Sequence, residues 1–197
     1  MKKALLLKTT LALALATPLL ATAESQLVVG TGSATARLDI RVIIPRVLFL
    51  AVGSGSGGQT SNGNIDQLTF DYTGTPADVG SGNPSTGQNV NVRVRGNNGQ
   101  IALTAATTGA LTNAATPADT IPWSEITVSS NLPGLPSPVI PATATGASSN
   151  VLISSGTKVT DHSAVWTYSY ANSAVVAPGT YGTSTGNGRV IYTASMP

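Results

Sequence analysis

An all-β, antiparallel sandwich or barrel is what this sequence predicts, and three observations carry that prediction. Several segments alternate apolar and polar residues with a period of two, the pattern of a strand with one buried and one wet face. Turn-forming clusters of Gly, Asn, Ser and Pro separate them, and no helical period of 3.6 is sustained after the first 23 residues. Charge is sparse, at 9% of residues, while Val and Thr are abundant, a composition that suits pleated sheets. An apolar fraction of 41% with this patterning argues against disorder.

Residues 1–23 read as a secretory signal peptide. Lys2, Lys3 and Lys8 form its basic start, residues 11–20 its apolar stretch, and Ala21-Thr22-Ala23 a small-residue cleavage site. The apolar stretch is shorter than the roughly 20 residues a membrane-spanning helix needs. Cleavage after Ala23 takes 23 of 197 residues and leaves 174, enough for one domain with a sizeable core, residues 24–197. It also removes three of ten basic residues, so seven remain against eight acids and the net charge becomes −1. The basic balance of the whole chain therefore belongs to the leader, and no basic footprint for nucleic acid remains. With zero Cys there is no disulfide framework, and stability must come from strand pairing and burial.

Residues 24–35 are an extended, Gly-interrupted lead-in. Residues 36–53 are the densest core-forming text. Leu38, Ile40, Val42 and Ile44 alternate with Arg37, Asp39 and Arg41, and beyond Pro45 residues 47–52 form a continuous apolar run. The run predicts an internal strand covered on both faces. The alternating half predicts either an ordinary first strand or a strand shared with a neighbouring molecule. Pro45, which has no ladder donor, marks a bend between the two.

Residues 53–64 are a Gly-Ser loop, and residues 65–72 a strand with Leu68, Phe70 and Tyr72 on one face. A long loop over 73–88 follows. Residues 89–95 alternate Val90, Val92 and Val94 against Asn91, Arg93 and Arg95. Gly96-Asn97-Asn98-Gly99 then reads as a hairpin turn returning through residues 100–105. Residues 107–119 are a linker or weak strand, and 121–128 a short strand with a bulge after Trp123. The four prolines within residues 132–141 keep that segment out of a central strand, so it should cross an end or edge of the fold. Residues 150–154 and 162–170 are strands, the latter alternating Ala164, Trp166, Tyr168 and Tyr170 against polar partners and Val165. Pro178-Gly179-Thr180-Tyr181-Gly182 turns the chain, and Asn187-Gly188 opens a last strand over 189–196. About eight strands result, a number that suits a sandwich or a barrel.

Chemical machinery is hard to find. His162 is the single histidine, and its neighbours Asp161 and Ser163 point to the opposite side of a strand, so adjacency makes no triad. It reads as a surface residue at a strand entry. One His and no Cys exclude ordinary zinc or copper ligation. Asp66, Asp71 and Asp78 could offer calcium some oxygen ligands, yet no calcium-loop spacing surrounds them. Asp119 and Glu125 straddle Trp123, which admits a two-carboxylate hydrolase or a sugar-stacking platform on Trp123 beside a plain core indole. The expectation is no catalytic residue, no cofactor and no metal.

Two stretches carry a family resemblance. Ala34-Thr35-Ala36-Arg37-Leu38-Asp39-Ile40-Arg41-Val42, continuing to Phe49-Leu50-Ala51-Val52-Gly53, resembles the first strands of pilin-like and spore-coat-U-like secreted domains of Gram-negative bacteria. Pro178-Gly179-Thr180-Tyr181-Gly182 with Gly188-Arg189-Val190-Ile191-Tyr192-Thr193-Ala194 is similar to their closing hairpin. The resemblance covers about a third of the chain. It implies an Ig-like β-sandwich exported across the inner membrane to the periplasm, cell surface or an extracellular fibre. It also implies a non-enzymatic structural subunit that pairs with itself or related subunits, with a periplasmic chaperone and an outer-membrane assembly platform as further partners. Strand addition through Leu38, Ile40, Val42 and Ile44 would be the assembly contact. The alternatives are an adhesin module using Trp123 and an envelope hydrolase. This chain departs from the family's pattern in having no Cys and in carrying the added Gly-Ser and Pro-rich segments.

Overall fold

The computed structural model describes residues 24–54 and 59–197. The expected signal peptide and its cleavage point lie outside the described residues. The chain divides at Ile44 into two units. The described part of the first, residues 24–44, contains no strand. Its Glu24 carboxylate takes two hydrogen bonds from Arg37, both at 3.1 Å, and the Gln26 side chain accepts one from the Thr35 N–H at 3.0 Å. The ordinary first strand expected over 38–44 is therefore not formed. Its alternating side chains stand in solvent: Leu38, Ile40, Val42 and Ile44 are 84, 81, 76 and 77% exposed.

In the second unit, Pro45–Pro197, every strand pairing among the described residues is antiparallel. In chain order its strands are β1 (Leu48–Val52), β2 (Gln88–Gly96), β3 (Ile101–Thr107), β4 (Leu111–Thr112) and β5 (Thr120–Ile121). Then come β6 (Ile126–Ser130), β7 (Ala144–Thr145), β8 (Ser149–Val151), β9 (Thr160–Tyr170) and β10 (Ile191–Ser195). One four-stranded sheet runs β1-β2-β9-β6. A second four-stranded sheet centres on β3, which pairs with β10, β7 and β8. Strands β4 and β5 make a separate pair.

Alternation explains which faces are buried. Val90, Val92 and Val94 of β2 and Ala164, Trp166 and Tyr168 of β9 lie on the inner face of the first sheet. Ile101, Leu103 and Val151 of the second sheet join them in one apolar cluster. The tyrosines Tyr168 and Tyr192 link the sheets through hydroxyls 2.9 Å apart, and Trp166 meets the Tyr192 ring edge-on at 5.2 Å. Burial raises the pKa of both phenols, so both stay protonated donors over any ordinary pH.

Four expectations need correction. The first is the hairpin: β2 and β3 do not pair, and Gly96 to Gly99 carries the chain from one sheet to the other. Asn97 in this arch donates to the Pro45 carbonyl at 2.8 Å and accepts from the Val47 N–H at 2.8 Å. Gly99, at φ +99°, gives its N–H to the Lys158 carbonyl. A hairpin turn closes on itself, whereas this one is tied to the chain entering β1 and β9. Alternation fixes the buried face of a strand but not its neighbour.

The second is β1, which is an outer strand bonded to β2 alone. Val47 and Leu48 are exposed, Leu50 and Val52 half-buried, and Phe49 and Ala51 sit opposite the outward Arg95 and Arg93. The third is residues 65–72, which make no ladder. Leu68 and Phe70 still pack on the core, and the Thr69 carbonyl accepts a hydrogen bond from the Gln88 side chain. The last is the bulge after Trp123, which is a short 3-10 turn, Trp123–Glu125, between β5 and β6. The Pro-rich segment does run past an edge, from β6 to β7, but contributes to the core as well, burying Leu135, Pro138 and Ile140.

Candidate functional site

The residues singled out for chemistry occupy three separate places. Trp123 is 6% exposed, belongs to the apolar cluster and donates its indole N–H to the Gly109 carbonyl at 2.7 Å. That is a satisfied core indole, and it has no open face on which a sugar could stack. This corrects the ligand contact expected there.

Glu125, two residues on, is also buried. Its carboxylate accepts hydrogen bonds from the Ser173 N–H at 2.9 Å and from the Ser173 hydroxyl, while its backbone carbonyl accepts from the Ala171 N–H. Burial works against its charge, but the bonds from the Ser173 hydroxyl and from the N–H groups of Ser173 and Ala174 outweigh it and hold the carboxyl below its ordinary pKa. Asp119 is engaged through its backbone, with its carbonyl bonded to the Asn113 N–H. Glu125 thus clasps the chain leaving β9.

A stability test follows from the sign of that shift. A carboxyl held below its unfolded value stabilises the fold above the ordinary carboxylate range, and the contribution disappears as pH falls through and below it. Glu125→Gln should cost about 1.5 kcal/mol at neutral pH, the worth of hydrogen bonds to a charge. It should also flatten the loss of stability between neutral pH and the acid limb, measured by urea denaturation across pH. An unchanged acid slope would show that the carboxylate is not held as described.

His162 faces inward, opposite Val94 in the ladder, and is half-buried rather than a surface residue. Its Nε2 lies 2.9 Å from the Leu152 carbonyl and 3.2 Å from the Ser154 hydroxyl. A carbonyl can only accept, so Nε2 carries the proton and cannot act as a base on that hydroxyl. Ser154 in turn donates to the Asp161 carbonyl and accepts from the Asp161 N–H. The serine and histidine are neighbours without being a nucleophile and its base; they pin the 152–159 hairpin to β9.

The three acids considered for calcium have local partners. Ser54 bonds Asp66 through its N–H and its hydroxyl, and Thr73 gives its N–H to Asp71 at 2.8 Å; these bonds lower both pKa values. The Asp78 carbonyl accepts from the buried Asn172 side chain. Among the described residues no group of three or more His, Cys, Asp or Glu converges on a point. No described helix is long and apolar enough to cross a membrane.

Sequence reasoning missed one constellation. The β2–β9 register sets Arg93 opposite Ser163 and Arg95 opposite Asp161 on the outer face of the first sheet. Both guanidinium groups turn toward the one carboxylate, at 3.5 and 3.7 Å. Arg93 also borders an open groove of about 440 Å³, whose lining includes Asn91, Asn131, Ser163 and Val165. The signal was present as outward residues of two strands, but only the pairing of β2 with β9 brings them together.

No known protein family, curated protein or solved structure matches the chain.

Proposed function

We propose that this chain is an exported, non-enzymatic subunit of a surface or pilus-like structure, built on an Ig-like β-sandwich and assembled by strand addition to copies of itself or to related subunits. One observation carries the reading. Leu38, Ile40, Val42 and Ile44 alternate at strand spacing, yet are more than three-quarters exposed and form no ladder within the described residues. An extended apolar stripe without a partner is costly in water, at about 25 cal/mol per Å² of apolar surface, and a neighbouring sheet edge would relieve that cost. The resemblance of residues 34–53 and 178–194 to pilin-like domains points the same way, with a periplasmic chaperone and an outer-membrane platform as the further partners it implies. The adhesin alternative loses support with Trp123 in the core.

The double substitution Ile40→Asp with Val42→Asp tests the reading, because both side chains lie in solvent in the single chain. Residues 24–197 should form concentration-dependent oligomers in size-exclusion chromatography with light scattering. The double variant should elute as a folded monomer with unchanged circular dichroism. A wild-type chain that stays monomeric up to about millimolar concentration, the weak end of ordinary association, would refute strand addition.

A further inference from the structure

We propose that the outer face of the β1-β2-β9-β6 sheet carries a binding site for a carboxylate-bearing ligand, centred on Arg93. Three observations meet there. Arg93 and Arg95 share the single carboxylate of Asp161, so the cluster keeps one unbalanced positive charge. Their contacts of 3.5 and 3.7 Å exceed the 2.7–2.9 Å typical of charge-assisted bonds. Among the described residues neither guanidinium donates a hydrogen bond, and the Arg93 Nε is covered by protein without a partner. The two side chains are 35 and 44% exposed, so the terminal N–H groups not turned to Asp161 are open to an added carboxylate.

The groove beside Arg93 adds the surrounding chemistry. Asn131 spends its amide oxygen on the Val165 N–H at 2.9 Å, leaving its NH₂ as the donor end of that side chain. Ser163 is exposed and lines the groove with Asn91 of β2, and Val165 adds an apolar contact. A planar acceptor with two oxygens matches the fork of Arg93, and the amide and hydroxyl groups suit the polar remainder of a small acidic ligand. The site lies on paired, central strands of its sheet, so it is preorganised. It is independent of the strand-addition reading, which uses residues 38–44.

The test uses D-galacturonate as the probe, with D-galactose as its uncharged counterpart and inorganic phosphate as a tetrahedral anion. Amide resonances of Asn131, Ser163 and Val165 should shift saturably with D-galacturonate at about millimolar concentration, as suits a partly exposed pairing. The affinity should fall at least about tenfold with D-galactose and again in Arg93→Gln, a loss of one charge-assisted contact. Ser163→Glu, which puts a carboxylate into the groove from an exposed position, should abolish the shifts while leaving circular dichroism unchanged. Absence of saturable shifts, equal binding of D-galactose, equal or tighter binding of phosphate, or full affinity in folded Arg93→Gln would each overturn the assignment.

Discussion

Trp166→Ala should remove about 3–5 kcal/mol of stability, the cost of emptying a large buried aromatic site. Trp166 is 0% exposed and lies at the centre of β9, opposite Val90 on β2 and Ser130 on β6. Its indole N–H reaches the Leu135 carbonyl at 3.3 Å, and its ring meets Tyr192 of the other sheet. One side chain therefore touches both sheets and the Pro-rich segment at their margin. Relaxation around the cavity is limited, because β9 is held on both sides and cannot move inward without shearing two ladders. Domains of this size have about 5–15 kcal/mol in hand, so the variant should be largely unfolded at modest urea. Circular dichroism against urea gives the comparison. Trp166→Phe, which keeps one aromatic ring but loses the pyrrole part of the indole and its N–H, should lose distinctly less. An alanine variant within about 1 kcal/mol of the parent would mean that the sheets are not joined through this residue.

Gly188→Ala should be nearly as damaging, through the backbone instead of the core. A Cβ at position 188 would fall onto the carbonyl of Gly182 and its Cα. Neither neighbour can swing away as a side-chain end could. Gly182 itself sits at φ +72° and would drive a Cβ into Leu111. The segment between them is clasped to β4: the Thr112 N–H donates to the Gly186 carbonyl, the Thr112 carbonyl accepts from the Gly182 N–H, and the Thr183 carbonyl accepts from the N–H groups of Gly186 and Gly188. Opening the turn far enough for a methyl group breaks several of these bonds together, at a cost of about 3 kcal/mol, the upper range for overpacking. Gly63→Ala is the control, since nothing lies within 4 Å of a Cβ there. It should leave the unfolding free energy within about 0.5 kcal/mol of the parent. Equal behaviour of the two variants would show that the 182–188 turn opens freely.

Much of this fold was legible in the sequence, and the reasons differ by segment. Residues 89–95, 100–105 and 162–170 alternate in the sequence and fall in β2, β3 and β9 to within two residues at their starts, with Val90, Ile101 and Trp166 facing inward, because alternation is a local property. Which strands pair is not local. The arch at Gly96–Gly99 has the same residues a hairpin would have, and only the pairing of β2 and β3 with different strands shows that it spans two sheets. Residues 65–72 alternate as well as β10 does, but lie beside β2 without a ladder, since burial of Leu68 and Phe70 needs no pairing. Trp123 looked like a candidate contact because acids flank it in sequence. Its environment is set instead by the 3-10 turn that folds the indole toward Gly109. The Arg93–Asp161 cluster was invisible for the same reason as the arch.

That arch also decides when the chain can fold. Because β2 does not pair with β3, each has a neighbour far along the chain: Val92 pairs with Ala164, and Thr104 with Thr193. Neither large sheet can be completed from the first half of the polypeptide, and closing such long loops must precede any reward from pairing. Folding should consequently be a late event, in milliseconds to seconds by the usual dependence on sequence separation, and should follow release of the C-terminal strand. A chain built this way cannot close both large sheets before β9 and β10 have been made.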